Sequence, residues 1–123
     1  IRTEFKTSKL SGTTFIDSAL QHILISDCTC KYLDIANSTV KFTEIERSNV
    51  DESSWFECRL EHLELMDVSL IKSDFYQTSL KGIDLSNAKI EGMKIDVNNI
   101  RGATIDANQA VLLCSLIGVD IKE

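Results

Sequence analysis

The sequence predicts an all-β solenoid closed by a short C-terminal α-helix. Three features carry this prediction. A large apolar residue stands at every fifth position from Phe5 to Ile105, a smaller one stands two places before most of them, and both columns stop after Ile105. Cys30 is the one fifth position that is not large. With 43% of the chain apolar, chance produces such a column roughly once in a million sequences.

A helix repeats at 3.6 residues and a strand at 2, so a period of five fits neither. On a plain strand, positions five apart face opposite sides. The chain must therefore turn once per repeat and present the same position inward each time. Side chains turned inward this way are buried against the repeats above and below, which is a solenoid. The second column supports this reading. Most side chains two places before the centres belong to Ala, Ser, Thr, Cys or Val. On an extended segment, positions two apart point the same way, so a large and a small side chain fill a narrow interior together.

A large residue every five with a small one two before it resembles the pentapeptide-repeat family, whose consensus reads small, Asp or Asn, Leu, any, any. The stretch Gly82-Ile83-Asp84-Leu85-Ser86-Asn87-Ala88-Lys89-Ile90 matches it best. Elsewhere Asp or Asn precedes the centre only at Asp34, Asn49, Asp74 and Asn99. The resemblance implies a right-handed quadrilateral β-helix with four repeats per coil. Positions four repeats apart then stack in register at about 4.8 Å, giving a rod ~25 Å tall. Residues 1–105 form the β-helix, about five coils long, and residues 106–123 form a closing segment.

Four faces follow from this coil. Face 1 has centres Phe5, Ile25, Ile45, Leu65, Leu85 and Ile105. Faces 2, 3 and 4 begin at Leu10, Phe15 and Leu20 and recur every four repeats. The small-residue rule fails at Ile23, Leu33, Leu63, Ile83 and Met93, all on faces 1 and 3. The interior is therefore expected to differ in its two directions. Charge also segregates. Face 1 is the most acidic, face 3 carries Asp17, Asp34, Glu57, Asp74 and Asp96 against Lys94, and face 4 is basic. Glu44, Glu64 and Asp84 fall in one column, where like charges repel. With Glu46 and Asp67 they form the candidate interaction surface. On face 3, Phe56 and Tyr76 either form a contact patch or cover the corner beside Trp55 and Phe75. On face 4, His22, Phe42 and His62 stack as corner residues, the histidines being about 10 Å apart and too distant to share a metal.

After Ile105 the period fails. Asp106-Ala107-Asn108-Gln109 reads as a capping box, followed by a helix from Ala107 to Ile117 with Gly118 as its C′ residue. Ala110, Leu113, Cys114 and Ile117 share one face at helical spacing. The helix is expected to cover the open coil end, with Val119 and Ile121 in an extended tail. The family resemblance implies end-to-end homodimerisation through this segment, so Ala110, Val111, Leu113, Cys114 and Ile117 are the candidate dimer interface.

Composition narrows the function. The net charge of −6 argues against direct nucleic-acid binding, which needs clustered Lys and Arg. No apolar run reaches the ~18 residues of a membrane helix. The chain has no proline, in keeping with a backbone hydrogen-bonded throughout. Cys28, Cys30, Cys58 and Cys114 lack zinc-ligand spacing and read as reduced thiols, hence a cytoplasmic location. Residue 1 is Ile rather than Met, which leads to the expectation of residues upstream. There is no P-loop, dinucleotide fingerprint or converging catalytic set. The expectation is a non-enzymatic protein without cofactor or metal, acting as a rigid protein-interaction module through charged faces. The resemblance offers an alternative. Some pentapeptide-repeat proteins mimic B-form DNA, bind DNA gyrase or topoisomerase IV and protect it from quinolones. Acidic faces 1 and 3 suit that role, whereas several protective members carry a loop between coils that this chain lacks.

Overall fold

A computed structural model describes residues 2–122, so Ile1 and Glu123, the outer ends of the two predicted segments, lie outside the described residues. The backbone winds through β1 (Thr3–Lys6), β2 (Thr14–Ile16), β3 (Ala19–Gln21), β4 (Ile23–Ser26), β5 (Asp34–Ala36), β6 (Thr39–Asn49), β7 (Ser54–Phe56), β8 (Arg59–Ser69) and β9 (Ala88–Lys89), then α1 (Val97–Ile100) and α2 (Ala107–Leu116). Every strand pairing is parallel and every partner lies four repeats along the chain: Phe5 with Ile25, Ile25 with Ile45, Ile45 with Leu65. Single bridges continue this step from Ser54 to Asp74 to Lys94, and from Asp84 to Thr104. The chain is a four-sided β-helix of pentapeptide repeats with a short C-terminal helix.

The corners explain the period of five. The second residue after a centre adopts a left-handed conformation at Thr7, Asp17, His22, Asp27 and so on to Gln77, with Gly at 12, 82, 92 and 102. Left-handed backbone is uncommon outside glycine. Here it recurs at nearly every corner, where the chain turns from one repeat into the next. At many corners the amide three places after a centre also donates to that centre's carbonyl, as Leu33 does to Cys30 and Ile83 to Leu80. After Ile95 the corner position is Val97, and α1 replaces the turn, with Asp96 as N-cap accepting from the Asn99 amide. The sequence reading did not anticipate this helix.

Both predicted columns point inward. From Cys28 to Met93 every centre and every side chain two before it is buried. Trp55 stacks on Phe75 inside face 3, ring centroids 5.5 Å apart, and its indole N–H donates to Ser53 Oγ at 2.9 Å. The unequal interior has a hydrogen-bonding cause. On faces 2 and 4 the small residue often carries a hydroxyl that bridges coils. Ser38 Oγ accepts from the Ser18 amide, Ser48 Oγ from the Cys28 amide and Thr78 Oγ1 from the Cys58 amide, each at 3.0 Å. The Ser38 and Ser48 hydroxyls also donate to the carbonyl two places earlier, and that of Thr78 donates to Trp55 O one coil back. The side chain thus supplies the bond that the bent backbone cannot make. Where Ala88 offers no hydroxyl, the Val68 amide bonds directly to Asn87 O.

The C-terminal segment follows the expected capping box: Asp106 Oδ1 accepts from the Gln109 amide, and Gln109 Oε1 accepts from the Asp106 amide. The helix ends at Leu116, with Ile117 as C-cap and Gly118 left-handed at φ +82°. The Gly118 amide bonds to Ser115 O and the Val119 amide to Cys114 O, the Schellman arrangement. The sequence grouped Ala110, Leu113, Cys114 and Ile117 on one side of this helix without saying which side docks. Leu112 and Leu116 pack on the core, while Ala110 is exposed. The cause is Gln109, whose Nε2 donates to Leu85 O and Ala88 O at 2.7 and 2.8 Å. By binding carbonyls of the coil it covers, Gln109 fixes the rotation of the helix and turns Leu112 and Leu116 inward.

Candidate interaction surface

The acidic column predicted on face 1 is present. Glu44 and Glu64 are direct ladder partners on β6 and β8. Glu44, Glu46, Glu64 and Asp84 line one shallow groove of about 440 Å³, with Met66 and Asn87 beside them. Asp67 is not in that groove; it sits at a left-handed corner with φ 55°.

The face is less uniformly negative than the sequence count implies. Arg2 Nη2 reaches Glu44 Oε2 at 2.7 Å, across two coils. Arg47 binds both Asp27 oxygens at 3.0 and 3.1 Å and Glu46 at 3.2 Å. Lys6 pairs with Glu4. Glu64, Asp67 and Asp84 form no ion pair among the described residues. Hydrogen bonding from Arg47 holds the Asp27 carboxyl below its usual value. Bonds from Ser86 do the same for Asp84, whose Oδ1 accepts the Ser86 amide at 2.9 Å. Arg2 was overlooked because it precedes the repeat and its partner is two coils further on, outside the one-coil register.

The corner between faces 4 and 1 carries the His22, Phe42, His62 column as a ladder of near-parallel rings. Centroids are 5.3 and 4.8 Å apart and planes are within 8°. With Arg2, Glu44 and Glu64 these rings border a second open groove. On face 3, Phe56 and Tyr76 meet edge to face at 5.7 Å and are 36% and 55% exposed. They stand on the outer surface, while Trp55 and Phe75 are closed inside by their own stacking. At the C-terminus Ala110 and Val111 are exposed, and Leu113, Cys114 and Ile117 are half-buried. Cys28, Cys30 and Cys58 are buried free thiols. Burial, with the Cys28 thiol adding to it, raises the Cys30 pKa to about 11. Among the described residues no group of His, Cys, Asp and Glu is arranged to hold a metal, and no helix is long and apolar enough to cross a membrane.

No protein-family profile matches the chain, and no curated protein matches it. Solved structures do resemble it. A trypsin-treated form of QnrB1, a plasmid-mediated fluoroquinolone resistance protein, is 19% identical over 97% of this chain and 68% of its own, with a TM-score of 0.43. A pentapeptide repeat protein from the Arabidopsis thaliana thylakoid lumen is 17% identical over 89% of this chain and 76% of its own, at 0.44. HetL, a pentapeptide repeat protein involved in heterocyst differentiation regulation in Nostoc sp. strain PCC 7120, is 13% identical over 78% and 46%, at 0.36. The chain's own geometry, a five-residue repeat with ladder partners four repeats apart, is that of a pentapeptide-repeat β-helix.

Proposed function

We propose that the chain is a non-enzymatic interaction module that offers the face 1 carboxylates to a basic protein surface. One observation carries this reading: Glu64 and Asp84 lie in one groove with Glu44, the ladder partner of Glu64, and have no cationic partner among the described residues. Like charges stacked at ~4.8 Å repel, and a basic partner would relieve that repulsion. The narrower form of the reading is a type II topoisomerase, whose DNA-binding surface is basic and would take the acidic rod in place of DNA. End-to-end pairing of two chains through Ala110, Val111, Leu113, Cys114 and Ile117 would lengthen that rod. It is favoured by α2, whose residues from Ala107 to Leu116 include no charged side chain.

The test is a DNA gyrase supercoiling assay with and without a fluoroquinolone. The wild type is titrated beside the triple variant Glu44→Gln, Glu64→Gln, Asp84→Asn. Inhibition or drug protection by the wild type, lost in the variant, supports the topoisomerase reading, and no effect on gyrase or topoisomerase IV removes it. If the variant is more stable and binds basic proteins as well as the wild type does, the face 1 reading itself falls. Sedimentation of the wild type and a Val111→Glu variant tests the dimer, which a monomeric wild type at micromolar concentration would refute.

A further inference from the structure

Face 3 carries a surface of a different kind. Ile16, Ala36 and Phe56 are ladder partners on β2, β5 and β7, and Tyr76 continues the column in edge-to-face contact with Phe56. Ile16 is 61% exposed and Tyr76 55%. The result is an apolar stripe along the rod axis on an otherwise polar wall. Soluble proteins seldom expose contiguous apolar stripes unless something binds them. Carboxylates flank it on both sides. Asp34 and Asp74 lie two places before it on the strand, and Asp17 and Glu57 lie at the adjoining corner. Asp17 accepts a hydrogen bond from Asn37 Nδ2 at 2.6 Å, which leaves its charge in place. None of the four forms an ion pair among the described residues, although face 4 next to it is basic. On face 1, by contrast, Arg2, Lys6 and Arg47 neutralise much of the charge.

From this arrangement we infer that face 3 is a docking surface for a basic amphipathic α-helix of a partner protein, lying along the rod axis. Spacing selects a helix over a strand. Successive side chains of the stripe stand ~4.8 Å apart, one per coil. Side chains lining one side of a helix advance about 5.4 Å per turn, within about 0.6 Å of the stripe's step, whereas those on one side of a strand advance about 6.6 Å and drift from it about three times as fast. Three coil steps, roughly 14 Å, match two to three helical turns. A helix seated on Ile16, Phe56 and Tyr76 would bring flanking Lys or Arg over Asp34 and Asp74 on one side and Asp17 and Glu57 on the other. This surface is separate from the face 1 groove and stands or falls independently of it.

The probe is a fluorescently labelled synthetic helix of about five turns, with Leu on one side and Lys on the rest, read by anisotropy. A scrambled peptide of the same composition and a Leu/Glu helix are the controls. Micromolar binding by the Leu/Lys helix alone is expected, weakening as salt rises. Affinity should fall about tenfold or more in Phe56→Thr/Tyr76→Thr and severalfold in Asp34→Asn/Asp74→Asn. It should hold in Glu64→Gln/Asp84→Asn. These side chains face outward, and circular dichroism of each variant verifies the fold. Equal binding of the scrambled peptide, no binding at about 100 µM, or an equal loss in the face 1 variant would overturn the inference. So would self-association of the wild type that Phe56→Thr/Tyr76→Thr abolishes, because a second copy would then be the occupant.

Discussion

Replacing Thr78 with Val tests whether the hydroxyl ladder holds the coils together. Thr78 is fully buried. Its Oγ1 accepts from the Cys58 amide at 3.0 Å and donates to Trp55 O at 2.6 Å, one coil away. Valine preserves shape and apolar burial, so the change isolates the oxygen. It leaves the Cys58 N–H without a partner inside the core and takes a donor from the Trp55 carbonyl. An orphaned buried donor costs about 1–3 kcal/mol, and with the weakened carbonyl the sum is about 2–4 kcal/mol. Thr78→Ser keeps the oxygen and removes one methyl, at a cost of about 1 kcal/mol. The assay is urea unfolding followed by circular dichroism, with the slope verified to be unchanged. Val should therefore be the worse substitution by at least about 1 kcal/mol. If Val and Ser cost the same, the oxygen contributes nothing and the ladder is incidental to packing.

Gln109→Leu removes the two bonds to Leu85 O and Ala88 O and the acceptor for the Asp106 amide. Amide exchange across 107–116 should rise sharply while the early coils keep their protection, as expected where local opening differs along a solenoid. Cys30 is an acid whose folded pKa, about 11, lies above its unfolded value of 9.0. Its stabilising contribution is complete below pH 9 and is lost as pH rises toward 11. The urea midpoint should therefore fall across that window, and by less in Cys30→Val. Asp27 has the opposite sign. Hydrogen bonding to Arg47 holds its pKa below 3.8, so that contribution is present above this value and disappears as pH falls below it. In Arg47→Met, an NMR titration should move the Asp27 midpoint upward.

The repeat was legible because an inward position admits few residue types and the constraint recurs at every repeat from Phe5 to Ile105. The four-sided coil came from family resemblance, since a period of five alone does not say how many corners close a turn. The ladder register of four repeats confirms it. The asymmetry between faces was visible at Ile23, Leu33, Leu63, Ile83 and Met93, but its cause was not. Ser, Thr and Cys at the second inward position look like space-fillers until the unpaired amides of Ser18, Cys28 and Cys58 are located in three dimensions. The docked face of α2 was not legible for a similar reason. Apolar spacing groups Ala110, Leu113, Cys114 and Ile117 on one side, and nothing in a nearly all-apolar helix marks which side faces the coil. Gln109 settles it through the Leu85 and Ala88 carbonyls, more than a full coil earlier, a relation that has no period.

Counting charges by face ranked face 1 first, and pairing changes what that count means. The rod fixes backbone spacing, so every outward side chain has neighbours at set distances and can be neutralised only by a cation within reach of one or two coils. Arg47 can serve Asp27 because it stands one coil above it, and Arg2 can serve Glu44 because it starts from the adjoining corner. Face 3 has no cation so placed between Asp17 and Asp74; Lys94 lies beyond the stripe, beside Asp74. Asp17, Asp34 and Glu57 therefore remain free for an external cation, and they border apolar side chains that an ordinary solvated wall would not carry. Free charge and exposed apolar area on the same face favour association together: the first guides approach and orientation, and the second supplies the buried contact. On face 1 the carboxylates share their groove with one exposed apolar side chain, Met66 (55% exposed), rather than with a stripe. If both surfaces function, substitutions on face 1 should act mainly through salt-dependent encounter, and those at Phe56 and Tyr76 mainly through the lifetime of the complex.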